Sequence, residues 1–130
     1  MKKQVVVVGS AKAGSLPLSP GIAAGNFVFL SGQVAVDRST SRFTEGDATA
    51  QTHQIMKNVA ALLEAAGSSL EQVVKVTAYL ADINDFAAFN TAYRTYFPSD
   101  PPARTTIQAT LIPPYGVEID VIAIRAVETA

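Results

Sequence analysis

Cysteine is absent from this chain, which excludes disulfides, thiolate metal sites and a thiol nucleophile, and leaves the redox compartment open. Histidine is nearly absent, with His53 alone. No apolar run approaches the roughly 20 residues needed to cross a bilayer, so no membrane partner is expected. Lys2-Lys3 followed by Val5 to Val8 imitates the start of a signal peptide, but four valines fall far short of its ~7–15 residue apolar region. A cytoplasmic location is the expectation. Excess positive charge is also missing: ten basic residues face eleven acidic ones, with a pI near 5.7. Such a balance offers little grip on a nucleic-acid backbone, so no nucleic-acid partner is expected. No repeat, low-complexity tract or charge block interrupts the chain.

What is present suits one compact domain over residues 1–130, since 130 residues at 48% apolar composition can enclose a core. Residues 4–8 read as a first strand, and residues 10–25, rich in Gly, Ser and Pro, as a long surface loop. Residues 26–30 form an apolar strand ending in Ser31-Gly32-Gln33, with residues 34–36 extending the pairing and residues 37–42 a polar turn. Thr44-x-x-Asp47 reads as a capping box that opens a helix over residues 45–66. Ile55, Met56, Val59, Leu62, Leu63 and Ala66 recur at helical spacing, and Gly67 supplies a left-handed stop. His53 falls on the polar side of that helix, where a solvated role is expected.

Residues 73–81 read as a strand with Val74, Val76, Ala78 and Leu80 on one face. A second helix spans residues 85–97, its apolar stripe carried by Phe86, Phe89, Tyr93 and Phe97, with Pro98 at its end. Residues 105–111 and 117–127 complete the set as strands joined by a short turn, in which Tyr115 reads as a packing cap. The order implies an α/β sheet whose right-handed crossovers lay both helices on one face. Several strands are apolar on both faces, and two helices cover only one, so the uncovered face predicts a homo-oligomer.

The strongest functional clue is Pro101-Pro102-Ala103-Arg104-Thr105-Thr106. Two prolines stiffen the backbone as it enters the strand, so Arg104 gets a defined direction. A guanidinium held this way offers a planar fork suited to a carboxylate, and a small acid is the natural ligand. The competing reading is a salt bridge to Glu118 or Asp120, which share a face of the last strand.

Laid out this way, the chain resembles the RidA (YjgF-type) family of reactive-intermediate imine/enamine deaminases over nearly its full length. The match is carried by the segment from Gly25 to Gln33, Ala65-Ala66-Gly67, the segment from Val74 to Leu80, that from Phe86 to Asn90, Pro102-Ala103-Arg104 and Val117-Glu118-Ile119-Asp120. The resemblance implies an α/β (α+β) fold: a chorismate-mutase-like mixed β-sheet with two helices on one face, assembled as a homotrimer with clefts between subunits. It also implies that the last strand inserts between the first crossover pair, rather than forming the hairpin that the short 112–116 turn suggests. The implied activity is hydrolysis of 2-imino acids or their enamine tautomers to 2-keto acids and ammonia, with no cofactor or metal. An imine carbon is already electrophilic, so positioning and an oriented water can suffice.

On the same resemblance, Arg104 is the clamp on the substrate carboxylate and Glu118 orients the water or moves its proton. Ser31, Gly32 and Asn90 line the cleft. Thr106 stands where many relatives carry cysteine, and its carbonyl could still hold the water. Leu18 stands where a tyrosine is common in the best-characterised subgroup, a change that points to a bulkier or more apolar imine. Two other classes stay open: a non-catalytic, regulatory module that binds a keto acid in the same cleft, and an endoribonuclease or translation inhibitor, which the acidic pI disfavours.

Overall fold

A computed structural model describes residues 1–8 and 16–127; the start of the predicted loop, residues 10–15, lies outside the described residues. Ten elements follow in order: strands β1 (Lys3–Val6), β2 (Gly21–Ala24), β3 (Phe27–Leu30), β4 (Val36–Asp37) and β5 (Arg42–Phe43); helix α1 (Ala48–Ala65); strand β6 (Val73–Leu80); helix α2 (Phe86–Arg94); and strands β7 (Ala103–Gln108) and β8 (Val117–Ile124). The main sheet has the order β1-β2-β3-β8-β6-β7, while β4 and β5 make a small ribbon. β8 therefore pairs antiparallel with β3 and β6, and β6 runs parallel to β7. The insertion implied by the resemblance holds, and the hairpin suggested by the 112–116 turn does not form.

α1 is built on the predicted stripe: Ile55, Met56, Val59, Leu62 and Leu63 are all fully buried. Its cap differs from the capping box. Asp47 accepts from the Ala50 N–H at 3.0 Å, while the Thr44 hydroxyl donates to Gln54 Oε1 and its N–H to the Ala35 carbonyl. The helix thus begins three residues later than expected, and Gly67, at φ +80°, ends it as predicted. Two buried amides tie loops to α1: Asn58 donates to the Val34 and Val36 carbonyls, and Gln51 links Gly46 to Gly116.

β2 is the element that the sequence reading missed, being taken into the long loop. Ala24 pairs with Phe27, so Gly25-Asn26 is a two-residue hairpin connection, with Gly25 at φ +56°. Val74 also departs from expectation. A bulge between Val73 and Lys75 turns Val74 outward and puts Val73 in the core. Downstream, Val76, Ala78 and Leu80 face α1 and α2 as anticipated, with Val28, Leu30, Val117, Ile119, Val121 and Ala123 beside them. α2 stops at Arg94, yet Phe97 remains buried beyond it.

The opposite sheet face carries Val5, Phe27, Phe29, Ile107 and Ile124 in the open. Phe27 and Phe29 are 47% and 44% exposed, although they sit on a strand whose alternate residues are fully enclosed. Two helices therefore cover one face, as the strand patterns required.

Candidate active site

The predicted site residues fall into two groups separated by the sheet itself. The first lies under α2, at the edge formed by β7. Arg104 pairs with Val76, a core residue, so the Arg104 side chain projects toward the helices. Its guanidinium carbon lies 4.8 Å from the Tyr93 ring centre, 5.3 Å from that of Phe89 and 5.9 Å from that of Phe86. These rings seat the cation, whose planar fork of N–H donors suits an anion. The predicted aromatic stripe of α2 is thus, in part, a seat for Arg104.

Beside it is a cavity of about 210 Å³ lined by Asn90, Tyr93, Arg94, Phe97, Pro101 and Arg104. No carboxylate is among these lining residues. The Tyr93 hydroxyl is buried without a hydrogen-bond partner among the described residues, and so is the Thr106 hydroxyl, two residues along the same face from Arg104. Burial pushes the Tyr93 pKa up, against the downward pull of Arg104. Buried polar groups are normally paired, so this end of β7 has spare capacity for a polar ligand. A larger recess of about 430 Å³, bounded by Leu70, Tyr96, Pro98, Asp100 and Pro102, contains none of the predicted residues.

The second group lies on the open face. Glu118 pairs with Tyr79, and Tyr79 lies three residues from Val76, which puts the Glu118 and Arg104 side chains on opposite faces. A salt bridge between them within one chain is thereby excluded. β3 pairs with β8 through Phe29 and Ile122, and pairing resumes at Gln33 and Ile119, a slip of one residue that leaves Ser31 and Gly32 in an irregular stretch. That irregularity sets Gly32 against the Glu118 carboxyl, so closely that a Cβ there would lie 2.9 Å from Glu118 Cδ. Ser31 donates through its hydroxyl to the Ser19 carbonyl at 2.6 Å, and its N–H donates to that of Pro20. Its hydroxyl thus anchors the loop that bears the exposed Leu18.

Burial, and then the neighbouring Asp120 charge, raise the Glu118 pKa. Asp120 is fixed by Tyr79, whose hydroxyl donates to Asp120 Oδ2 at 3.0 Å. That hydrogen bond is the largest cause raising the Tyr79 pKa. A carboxylate with a raised pKa next to a glycine-bared backbone is suited to holding a water and exchanging a proton with it.

Asn90 and Arg104 thus line one cavity, with Thr106 two residues further along β7 and not among the lining residues; Ser31, Gly32 and Glu118 lie together on the other face, while Leu18 stays on its exposed loop. Sequence reasoning overlooked Tyr79 and Arg94. The signal for Arg94 was its spacing of one helical turn from Asn90; Tyr79 becomes visible only through the β6–β8 register. His53 is not solvated as expected: Nδ1 lies 2.6 Å from the Tyr96 hydroxyl and the ring packs on Tyr96. Tyr115 does act as a packing cap, edge-on to Phe43 at 5.7 Å. Among the described residues, no cluster of three His, Cys, Asp or Glu could hold a metal ion, and no helix is long and apolar enough to cross a membrane.

Residues 9–125 match the family model described as Endoribonuclease L-PSP. A RutC family protein of Pyrococcus horikoshii is 42% identical over 124 residues, spanning 95% of this chain and 98% of that protein. The protein named 2-iminobutanoate/2-iminopropanoate deaminase in Capra hircus is 35% identical over 124 residues, covering 95% of this chain and 90% of its own length. The crystal structure of RidA from the Antarctic bacterium Psychrobacter sp. PAMC 21119 superposes with a TM-score of 0.85 at 35% identity, covering 93% of this chain and 98% of that one.

Proposed function

The chain belongs to the Endoribonuclease L-PSP family, the RidA (YjgF-type) proteins of the resemblance, and from that premise we propose that it is a cofactor-independent deaminase of 2-imino acids and enamines. The observation that carries the reading is Arg104: half-buried, seated on three aromatic rings, and opening on a small cavity shared with Asn90 and lined by no carboxylate. This cation takes the substrate carboxylate as a bidentate partner. Asn90, on the same cavity, supplies a further polar contact.

Glu118 supplies the second half of the chemistry. It accepts a proton from water as the water oxygen adds to the imine carbon and the C=N electron pair moves onto nitrogen. It then returns the proton to that nitrogen. The resulting carbinolamine loses ammonia as its hydroxyl becomes the carbonyl of the 2-keto acid. An enamine enters the sequence after taking a proton at its β-carbon. Arg104 and Glu118 lie on opposite faces of one sheet, so the reading requires that each site take its arginine from one subunit and its glutamate from another. The bare apolar face bearing Phe27 and Phe29 supports such an assembly, a homotrimer by the family pattern. Net charge −1 gives the ribonuclease in the family's label no support.

The test generates 2-iminobutanoate in situ and follows its conversion to 2-ketobutyrate. Wild-type protein accelerates the loss, whereas Arg104→Ala lowers kcat/KM by about a hundredfold or more, and Arg104→Lys restores little because an ammonium lacks the planar fork. Equal rates with wild type and Arg104→Ala would overturn the deaminase reading.

A further inference from the structure

Arg104 is not the sole cation on its cavity. Arg94 lines the same 210 Å³ space. It stands one helical turn beyond Asn90 on α2, so the two side chains leave the helix on one face. The two arginines differ in setting: Arg104 is half-buried against the aromatic rings, while Arg94 is exposed at the mouth. Among the described residues, no acidic side chain lines the cavity to neutralise either charge. The volume is below the ~300–1,000 Å³ of pockets for drug-sized ligands, which suits a short-chain metabolite. A monocarboxylic substrate held by Arg104 would leave the Arg94 charge at the mouth without a counter-charge. A substrate with an acidic side chain would satisfy both.

We infer that Arg94 selects substrates carrying a second carboxylate, so that the preferred ligands are dicarboxylic 2-imino acids and their 2-keto products. The inference rests on the reading of Arg104 as the carboxylate clamp. In this arrangement the α-carboxylate sits on Arg104 and the side-chain carboxylate reaches outward to Arg94, within the cavity that Asn90, Tyr93 and Phe97 also line. Arg94 is a specificity residue here: it touches the part of the substrate that does not react. Its second role, a positive charge in the last turn of α2, is met by any cation.

Calorimetric titration of the full chain with 2-ketoglutarate and with 2-ketobutyrate provides a readout independent of turnover. The wild type is expected to bind 2-ketoglutarate about tenfold or more tightly than 2-ketobutyrate, as a charge-assisted contact warrants. Arg94→Gln should reduce that ratio about tenfold, and Arg94→Lys should retain part of it, which separates a lost contact from a damaged helix end. The same ratio is then measured as kcat/KM for the matching imines made in situ. A wild-type ratio near one, or a ratio that Arg94→Gln leaves unmoved, overturns the inference. Selective binding of 2-ketoglutarate without turnover of any imine would overturn the deaminase reading and leave this one standing. Turnover of 2-iminobutanoate with no preference for the acidic imine would do the reverse.

Discussion

Gly32→Ala tests the placement of Glu118 without touching either the carboxylate or the arginine. The new Cβ would lie 2.9 Å from Glu118 Cδ and 3.2 Å from Cγ, whereas ordinary van der Waals contact begins at 3.4 Å. The carboxyl carbon must therefore retreat by about half an ångström, and the nearer oxygen by more. Gly32 is not among the residues at positive φ, so alanine fits the backbone. Two stability effects then nearly cancel. Restricting the unfolded chain contributes about 0.4–1 kcal/mol, and pushing Glu118 off its rotamer costs about 0.5–1.5 kcal/mol. The melting temperature should stay within about 5 °C of wild type. Activity responds differently, because an error of about 1 Å in a reacting group can cost ~10²-fold. A fall in kcat of about tenfold to a hundredfold on 2-iminobutanoate is expected, read by steady-state deamination beside a thermal melt. A kcat within twofold of wild type would refute the assignment of the water-handling role to Glu118. A drop in melting temperature well beyond that range would refute the geometry.

The raised pKa of Glu118 sets a pH dependence: kcat/KM should climb with pH through a value above the ordinary carboxylate range. Asp120→Asn should move that acidic limb to lower pH without normalising it, since burial is the larger cause; an unmoved limb in the pH–rate profile would contradict the coupling. The sign for stability is the reverse of that for a salt-bridged acid. The fold binds this proton more tightly than the unfolded chain does, so its contribution is complete below the unfolded pKa and is lost as pH rises through the raised one. Glu118→Gln should therefore raise the melting temperature at pH 7 and do so less at pH 4. On the open face, Phe29→Asp places a charge where the proposed assembly needs an apolar contact, and size-exclusion chromatography with light scattering should find the variant monomeric where the wild type elutes as an oligomer. Unchanged elution would locate the assembly surface elsewhere.

How much of this was legible beforehand depended on whether a feature was local or required register. The α1 stripe and its Gly67 stop could be read because helical periodicity is written within one segment. The uncovered face followed from Phe27 to Leu30, apolar on both sides while only two helices were available. β2 was lost because Gly21, Ala23 and Ala24 carry little apolar bulk, although Gly25-Asn26 was a hairpin signal. The capping box was misread because the Thr44 hydroxyl is engaged by Gln54, ten residues on, while Asp47, read as the acidic partner of the box, is itself the cap. For the site, the individual residues were nameable, but their division between two faces was not. That division depends on the pairing of Arg104 with Val76 and of Glu118 with Tyr79, and on a one-residue slip beside Ser31.

The sheet that separates guanidinium from carboxylate has a consequence for how the proposed activity would be controlled. On the proposed reading, an isolated copy carries half of two different reaction centres and completes neither. Turnover then becomes a property of encounter between copies: it vanishes on sufficient dilution even while every chain remains folded, and it responds to whatever shields or exposes the phenylalanine-bearing surface.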